Sequence, residues 1–564
     1  MLSLRTVSKK VRFNWRPLSS AARQYTYYDN FEITSDGIAI LRLNCPGRMN
    51  SLSKGLQEES ENLFREKIIG NTAVKAVLFI SSKSDNFIVG ANIDELRDTP
   101  NKSDLKDMCM RGHNFFNEVK SKAKVPFLAA INGSALGGGL EWAMYCDYRI
   151  ATTAKKTVLG LPEVQIGLLP GMAGTYHLPK LVGYQTALDM ILTGKHVKAD
   201  RAKRLGLVDM VVDPAALEEV AINTAKAMIA GKVKPTKRKR DWLSFALEVI
   251  PYGRNYMFDQ AKKMVDKNTG GKYPAPYRIL SVLQDNYGKS KMEHLENEAK
   301  VFSELAATPE SAALIGIFKG SSAVKKHDYG SPKHQVQNIA VLGAGLMGAG
   351  IAQVSAEKGE YRVFMKDRDL AAVSRGEKMI EDDLKSKMKK RRMTSHEYCS
   401  ISSRIYPLHD GVQSWRRHLN QADLVIEAVF EEIGVKHAVL KEMEDIIPKH
   451  CIFASNTSAI PISQIAQGAA IPERVIGMHY FSPVPKMPLL EIITHAGTAP
   501  EVAAAAMEVG SKQGKTPIFV KDVAGFYVNR CLGPFMSEVT ALVHEGVDLM
   551  AMDKAMKSFG MPVG

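Results

Sequence analysis

The first residues that could do chemistry are three consecutive glycines, Gly137–Gly139. Glu141 follows them in a helical pattern, and Glu163 lies after the next apolar stretch. Glycine at a helix start costs conformational entropy, so a triplet suggests that another group approaches the backbone closely. Amides at a helix N-terminus can hold an anion. A tight turn needed only for packing is the alternative.

A second group of residues, Gly343, Gly345 and Gly348, forms the pattern G-x-G-x-x-G between the apolar stretch "NIAVL" and a helical pattern. Such a turn lets a pyrophosphate reach the helix N-terminus. Asp367 ends the next apolar stretch, 24 residues after Gly343, where a carboxylate can accept hydrogen bonds from a ribose hydroxyl. The pattern predicts a dinucleotide site, and the acid favours NAD over NADP. A glycine-rich packing turn, the alternative, would not need the acid.

A third pair, His479 and Glu491, lies twelve residues apart, each bordered by apolar residues. An imidazole can take a hydroxyl proton near neutral pH when a carboxylate fixes its tautomer and stabilises its charged form. A histidine satisfied inside a core is the alternative, and the spacing alone does not decide between them.

The elements that must position these residues predict an α/β multidomain chain. Short apolar strands alternate with amphipathic helices over residues 29–212, and long helical patterns over 213–335 indicate a helical connector. The strand, glycine turn, helix and strand order predicts a nucleotide-binding domain over 336–520. Helical sequence returns over 521–564 and ends in a turn after a helix with nothing to pack on it.

Residues 1–28 contain no acid and read as a mitochondrial transit peptide, with several serines among their basic residues. A disordered basic tail is the alternative. The basic residues are Arg5, Lys9, Lys10, Arg12, Arg16 and Arg23.

The composition of the 564 residues, 45% hydrophobic and 24% charged with no apolar run long enough for a bilayer, is typical of a soluble globular protein. The net charge of +15 includes the six basic residues of the leader, and the basic runs from Lys232 and Lys385 favour a solvated face or linker. A patch that meets phosphates or anionic lipid is the alternative, but the runs lack the interleaved aromatic residues of single-strand nucleic-acid surfaces. The six cysteines form no C-x-x-C pair, so they predict neither a metal site nor disulfides and fit a reducing compartment.

With these residues, the chain resembles the multifunctional enoyl-CoA hydratase and 3-hydroxyacyl-CoA dehydrogenase proteins of fatty-acid β-oxidation, the family of the alpha subunit of the mitochondrial trifunctional enzyme. The first half is similar to crotonases, whose fold is a spiral of ββα turns. The resemblance implies that two backbone amides polarise the thioester carbonyl of acyl-CoA. "FIVGANIDEL" and "GGGLE" match the two motifs, so the donors are Ala91 and Gly138.

The resemblance also implies the roles of the two carboxylates in hydrating a 2-enoyl-CoA. Glu163, in "LGLPEVQIGLLPG", would protonate C2, and Glu141 would orient and activate the water. Family members that lack one glutamate tend to be isomerases or other crotonases, so both residues favour a hydratase. The chain departs from the family pattern at Asn92 and in "PGMAGTYHLP", which contains Ala173 and the pair Tyr176 and His177.

The second half resembles L-3-hydroxyacyl-CoA dehydrogenase, with a Rossmann-type NAD domain. The resemblance implies that His479 is the catalytic base and Glu491 its partner, and that Ser458 and Asn529 contact the substrate's hydroxyl or carbonyl. The product would be a 3-ketoacyl-CoA.

The resemblance further implies long-chain acyl-CoA substrates, a thiolase beta subunit in a hetero-oligomer, the mitochondrial matrix, and peripheral contact with the inner membrane. In the family, a helical domain follows the nucleotide domain, and residues 521–564 match only its start. We therefore expect a chain truncated at its C-terminus, with a dehydrogenase half that binds NAD but turns over slowly or not at all. Its alternatives are a hydratase-only enzyme, a regulatory subunit that binds acyl-CoA or NAD, and, less favoured, an isomerase-like protein.

Overall fold

The computed structural model describes residues 25–561 except 100, 237, 239, 240 and 325. The chain divides into two compact units, with the boundary between Ile317 and Phe318. Residues 1–24 of the predicted leader, which spans residues 1–28, lie outside the described residues. Its last predicted residue, Tyr28, is the first residue of a strand and is only 1% exposed. The predicted leader boundary therefore falls inside the folded part of the chain.

The first unit contains two sheets. The larger has the strand order β1-β2-β3-β5-β7-β10, in which only β1 is antiparallel to its neighbour. The smaller has the order β4-β6-β8-β9. Strands β3, β5 and β7 are buried along their whole length, as expected for parallel strands covered on both faces. The strands are β1 Tyr28–Ile33, β2 Ile38–Leu43, β3 Ala76–Ser81, β4 Asn86–Ile88, β5 Phe127–Ile131, β6 Ser134–Leu136, β7 Tyr148–Thr152, β8 Val158–Gly160, β9 Val197–Lys198 and β10 Met210–Val212.

The helices of the predicted connector pack against the first unit. Phe258, Leu295 and Phe302 belong to the same buried cluster as Leu140 and Leu169. The connector therefore shares a core with the segment before it. The helices are α1 Lys54–Leu63, α2 Ile93–Asp98, α3 Lys102–Ala123, α4 Gly138–Tyr145, α5 Gly174–Val182, α6 Tyr184–Thr193, α7 Ala199–Leu205, α8 Leu217–Ile229, α9 Trp242–Glu248, α10 Pro251–Thr269, α11 Pro274–Asp285, α12 Lys291–Ala306 and α13 Pro309–Ala323, with a π-helical turn at Phe64–Ile68 and 3-10 turns at Glu163–Ile166 and Pro214–Ala216.

The second unit is built on one sheet with the order β13-β12-β11-β14-β15-β16-β17-β18. Because β11 lies between β12 and β14, the strand order reverses at β11, and ligands of open α/β sheets bind at such a reversal. Strand β17 is antiparallel to β16 and parallel to β18. The strands are β11 Asn338–Leu342, β12 Arg362–Asp367, β13 Ile405–His409, β14 Leu424–Glu427, β15 Ile452–Ser455, β16 Val475–Tyr480, β17 Leu489–Thr494 and β18 Thr516–Lys521.

Helices of the second unit cover the sheet, except for the last two, which have no buried residue in the structure described. No single helix among the described residues is long and apolar enough to cross a membrane, although α12 and α13 pass that test together as a pair bent by 73°. The helices are α14 Leu346–Glu357, α15 Leu370–Lys389, α16 Ser395–Ser402, α17 Trp415–Leu419, α18 Ile433–Glu444, α19 Ile462–Ala466, α20 Pro500–Lys512, α21 Val528–His544 and α22 Leu549–Phe559, with a 3-10 turn at Pro472–Arg474.

Candidate active sites

The glycine triplet follows β6, and a second glycine turn follows the neighbouring strand β4. These two strands are parallel, so the chain leaves both at the same sheet edge. A Cβ added to Gly137, whose φ is 52°, would lie 3.7 Å from the Cα of Gly90. Among the described residues, the backbone N–H groups of Ala91 and Gly138 find no hydrogen-bond acceptor. Two adjacent turns thus leave two amide donors available for an oxygen atom.

The three glycines of the triplet have different reasons to lack a side chain. A Cβ on Gly137 would come within 2.8 Å of Glu163 Oε1, and one on Gly138 within 2.5 Å of Leu52 Cδ1. A Cβ on Gly139 would instead collide with the backbone carbonyl of Ile88. The first two glycines make room at the site, whereas the third serves packing, so both explanations of the triplet hold.

Glu141 lies in the first turn of α4 and is buried. Its Oε1 accepts hydrogen bonds from the amides of Met172, at 2.8 Å, and Gly174, at 2.6 Å. Burial raises the pKa of Glu141 to about 7, and the amide hydrogen bonds limit this rise because they stabilise the charged form. Glu141 can therefore both take and release a proton near neutral pH.

Glu163 is the first residue of the 3-10 turn that follows β8. Its Oε2 is shielded from solvent and finds no hydrogen-bond partner in the described part of the chain. Burial, and then the negative charge of Glu141, raise the pKa of Glu163 well above its usual range. Glu163 therefore keeps its proton where Glu141 can already lose one, which is the division expected of a general acid and a general base.

A third buried carboxylate, Glu298 of α12, lies beside this pair, and the sequence analysis did not identify it. Its Oε1 accepts a hydrogen bond from Ala173 N at 2.6 Å, and its Oε2 accepts one from Thr175 N at 3.0 Å. Burial, and then the charge of Glu141, raise its pKa to about 8. The available signal was a glutamate between Leu295 and Phe302 on the apolar face of a helix, where charged residues are rare.

In the second unit, the glycine motif forms the predicted turn between β11 and α14. Gly343 has a φ of 99°, and a Cβ there would lie 2.6 Å from the carbonyl oxygen of Ala428. A Cβ on Gly348 would collide with the carbonyl oxygen of Gly343, whereas Gly345 has open space around it at the N-cap of α14. Two glycines thus permit close packing and the third leaves room at a helix N-terminus, a cradle that fits a pyrophosphate.

Asp367 ends β12 beside this turn. Its Oδ2 accepts a hydrogen bond from Ala344 N at 2.8 Å, and its Oδ1 accepts one from Arg368 N at 2.7 Å. Each carboxylate oxygen retains a lone pair for a ribose hydroxyl. The neighbouring Lys366 is paired with Asp410, 2.7 Å from Nζ to Oδ1, so its charge is already compensated, which favours NAD.

His479 and Glu491 face each other directly across the antiparallel pair β16 and β17, with 2.7 Å between Nδ1 and Glu491 Oε2. Glu491 Oε1 also accepts hydrogen bonds from the amides of Tyr527 and Val528 at the start of α21. Burial raises the pKa of Glu491, but the hydrogen bond from His479 and these amides outweigh it and hold the pKa below its usual range. A charged Glu491 favours the tautomer with the proton on Nδ1, which leaves Nε2 to accept one.

The structure also brings Ser458 and Asn529 together, because Asn529 Nδ2 donates to the backbone carbonyl of Ser458 at 2.8 Å. Ser458 follows β15, which is parallel to β16, so it lies at the sheet end towards which His479 also lies. The sequence analysis missed a buried ion pair between Lys436 and Glu427, 2.9 Å apart, at the end of β14. An acid that ends an apolar strand was the available signal.

Comparison with known protein families assigns both units. Residues 33–241 match the family model described as enoyl-CoA hydratase/isomerase, and residues 338–523 match the NAD-binding domain of 3-hydroxyacyl-CoA dehydrogenase. Residues 525–564 match the C-terminal domain of that dehydrogenase. The order of these matches is the order of the two sites along the chain.

Curated relatives match nearly the whole chain. The fatty acid oxidation complex subunit alpha of Shewanella putrefaciens is 42% identical over 538 residues, which are 95% of this chain and 75% of the relative. The chain belongs to the fatty acid oxidation complex subunit alpha family. The subunit alpha of Shewanella amazonensis is 43% identical over 94% of this chain and 74% of its own length. A solved structure of (S)-3-hydroxybutyryl-CoA dehydrogenase from Ralstonia eutropha is 35% identical over 41% of this chain and 80% of its own, with a TM-score of 0.39.

Membership of the subunit alpha family confirms the predicted fold class, a crotonase-like domain followed by a Rossmann-type NAD domain and the dehydrogenase C-terminal domain. It also confirms the predicted enzyme, with enoyl-CoA hydratase and 3-hydroxyacyl-CoA dehydrogenase domains that act in fatty acid oxidation, and the NAD cofactor. The roles of individual residues and the domain boundaries stay predictions.

We predict that Asp367→Ala weakens NAD binding at least about tenfold, because a charge-assisted hydrogen bond contributes about 1.5 kcal/mol or more. Titration of the purified full chain with NAD measures the effect. Asp382→Ala, which removes the same charge from an exposed position on α15, is the matched control. Equal NAD affinity for wild type and Asp367→Ala would contradict the ribose assignment.

Proposed function

We propose that the chain catalyses two consecutive reactions, hydration of a 2-enoyl-CoA at the first site and oxidation of the resulting (3S)-3-hydroxyacyl-CoA at the second, with long acyl chains preferred. The observation that carries this proposal is the pair of glutamates in the first unit. Glu141 receives two amide hydrogen bonds, whereas a buried oxygen of Glu163 receives none. One carboxylate is thereby suited to lose a proton and the other to keep one.

In the hydration step, the amides of Ala91 and Gly138 donate hydrogen bonds to the thioester oxygen and stabilise the negative charge that develops there. Glu141 removes a proton from water while the water oxygen bonds to C3. Glu163 gives its proton to C2, so one water has been added across the double bond. The proton taken by Glu141 then returns to Glu163, and the site is ready for the next turnover.

In the oxidation step, bound NAD supplies the acceptor for the hydride from C3. His479 Nε2 takes the proton of the substrate hydroxyl, and Glu491 stabilises the imidazolium that forms. Ser458 and Asn529, which hold each other through one hydrogen bond, orient the substrate oxygen. The C3–O bond becomes a carbonyl, and the product is a 3-ketoacyl-CoA.

We predict that Glu163→Gln lowers the hydration rate by about 10² to 10⁴-fold, the usual contribution of a general acid, and leaves NAD affinity unchanged. His479→Gln should lower NADH formation by a similar factor and spare hydration. Both are measured by following double-bond absorbance and NADH together, with the full chain, NAD and 2-enoyl-CoA of short and long acyl chains.

Each of these variants is the control for the other, because they lie in different units. Equal loss of both activities in Glu163→Gln would show an effect on folding, and full hydration by that variant would contradict its role. A wild-type chain that consumes the double bond without forming NADH would favour the hydratase-only alternative. Equal rates with short and long acyl chains would contradict the long-chain preference.

We further propose that the chain assembles with a thiolase beta subunit, since the relatives are alpha subunits of a complex and the product, a 3-ketoacyl-CoA, is the substrate of thiolytic cleavage. The basic, acid-free residues 1–28 support a mitochondrial transit peptide, and therefore the matrix. All six cysteines are free, which suits that reducing compartment.

A surface on α9 and α10 supports peripheral contact with the inner membrane. Trp242, Leu243 and Tyr252 are 73%, 64% and 84% exposed, and the exposed Lys262 and Lys263 follow on α10. Aromatic and aliphatic side chains beside lysines are typical of surfaces that enter the interface of an anionic membrane.

We predict that the full chain, expressed in cells, fractionates with mitochondrial membranes and that Trp242→Ser combined with Leu243→Ser moves it to the soluble matrix. Met550→Ser, which changes a residue of α22 that is 74% exposed, is the control and should stay with the membranes. A chain found in the cytosol would contradict the location. A chain soluble in the matrix before substitution would contradict the membrane contact.

A further inference from the structure

The backbone of residues 172–175 lies between two buried carboxylates, and its amides alternate between them. The amides of Met172 and Gly174 donate to Glu141, and the two others, of Ala173 and Thr175, donate to Glu298. The hydroxyl of Thr175 also hydrogen bonds to Glu298. Four consecutive amides are thus divided between one glutamate of the hydratase site and one from the connector.

The conformation of this segment needs such anchoring. Ala173 has a φ of 72°, in the left-handed region that is energetically unfavourable for any residue with a Cβ atom. The segment leads directly into α5, whose first residue is Gly174. Because Glu298 holds the amides on both sides of Gly174, it fixes the direction in which Gly174 N–H points, which is towards Glu141.

The charge of Glu298 is not compensated by a nearby cation. No lysine or arginine pairs with it within the described ranges. The charged or titratable groups around it are Glu141, Glu163, His113, His294, Cys109 and Tyr145. His113 Nε2 lies 3.6 Å from Glu298 Oε1, and His294 Nε2 lies 2.9 Å from Thr175 Oγ1. Burial lowers the pKa of both histidines to about 4, so both are neutral at physiological pH.

We propose that Glu298 is a positioning residue of the hydratase site, which orients the amides that bind Glu141 and whose charge, when it forms, holds the proton on Glu163. The inference rests on the roles proposed above for Glu141 and Glu163. It assigns a part of the hydratase site to α12, a helix of the connector outside the residues that match the hydratase family model.

The experiment replaces Glu298 by glutamine in the full chain, which keeps the shape and removes the charge. One end of the glutamine is an NH₂ group that must face a backbone N–H, so the 172–175 segment loses an anchor. We expect kcat for hydration to fall about tenfold to a hundredfold, as for small misplacements of a catalytic group, with KM changed less than about twofold. NAD affinity, a property of the other unit, should not change.

The pH profile separates positioning from a purely structural role. Hydration requires protonated Glu163, so the rate falls at high pH as Glu163 loses its proton. A negative charge on Glu298 raises the pKa of Glu163. Removing that charge must therefore move the alkaline limb of the kcat profile to lower pH. A variant that only loosened the fold would lower the rate without moving this limb.

Glu296→Gln is the matched control, because it makes the same change on an exposed position of the same helix. It should keep the wild-type kcat and pH profile. If Glu298→Gln does not fold, Thr175→Val is the second variant. It removes the hydroxyl that bonds to Glu298 and to His294 and keeps the backbone amide, and kcat should still fall severalfold.

A folded Glu298→Gln variant with wild-type kcat and an unmoved alkaline limb would overturn the inference, as would an unaffected Thr175→Val where it is needed. If the wild type hydrates and Glu163→Gln does not, such a result would remove only the role of Glu298. If Glu163→Gln also hydrates, the proposed function of the pair fails with it.

Discussion

Glu141 and Glu298 are buried in the first unit, and Glu163 has one carboxylate oxygen shielded from water beside them, so water solvates their charges poorly. Ionising one carboxylate in a poorly polarisable interior makes the ionisation of its neighbours more costly. The cluster therefore holds charge and protons together near neutral pH. The division follows the hydrogen bonds, since Glu141 receives amides whereas Glu163 has an oxygen without a partner. A hydratase needs such a mixed state, with one group that accepts a proton beside another that still has one to give.

The second unit uses a glutamate in the opposite way. Glu491 is as buried as Glu141, yet a histidine and two amides at the start of α21 stabilise its charge. The result is a fixed carboxylate whose task is to orient His479. The contrast shows why residue type alone does not give a role. Backbone donors and neighbouring charges decide whether a buried glutamate keeps a proton or is ionised and pairs with an imidazole.

The nucleotide site could be predicted from the sequence because its parts are local. A strand, a glycine turn, a helix and the acid that ends the next strand all follow within one short segment. The spacing of His479 and Glu491 left a core histidine as an alternative, and only the antiparallel register of β16 and β17 makes them direct neighbours. A glutamate on the apolar face of α12 was a signal that Glu298 is unusual, but its contacts could not be predicted, because they depend on how a connector helix packs against a segment far away in the chain. The need for a glycine at 139, where a Cβ would collide with the backbone of Ile88, could not be predicted for the same reason.

We expect above all that the carboxylate cluster of the first unit keeps a proton at neutral pH. Infrared spectra of the full chain in D₂O at pH 7 measure this directly, because a protonated carboxyl group has a carbonyl band separate from that of a carboxylate. We predict such a band in the wild type, weaker in Glu163→Gln and lost as the pH is raised through the alkaline limb of hydration. A wild-type spectrum without the band at pH 7 would contradict this prediction.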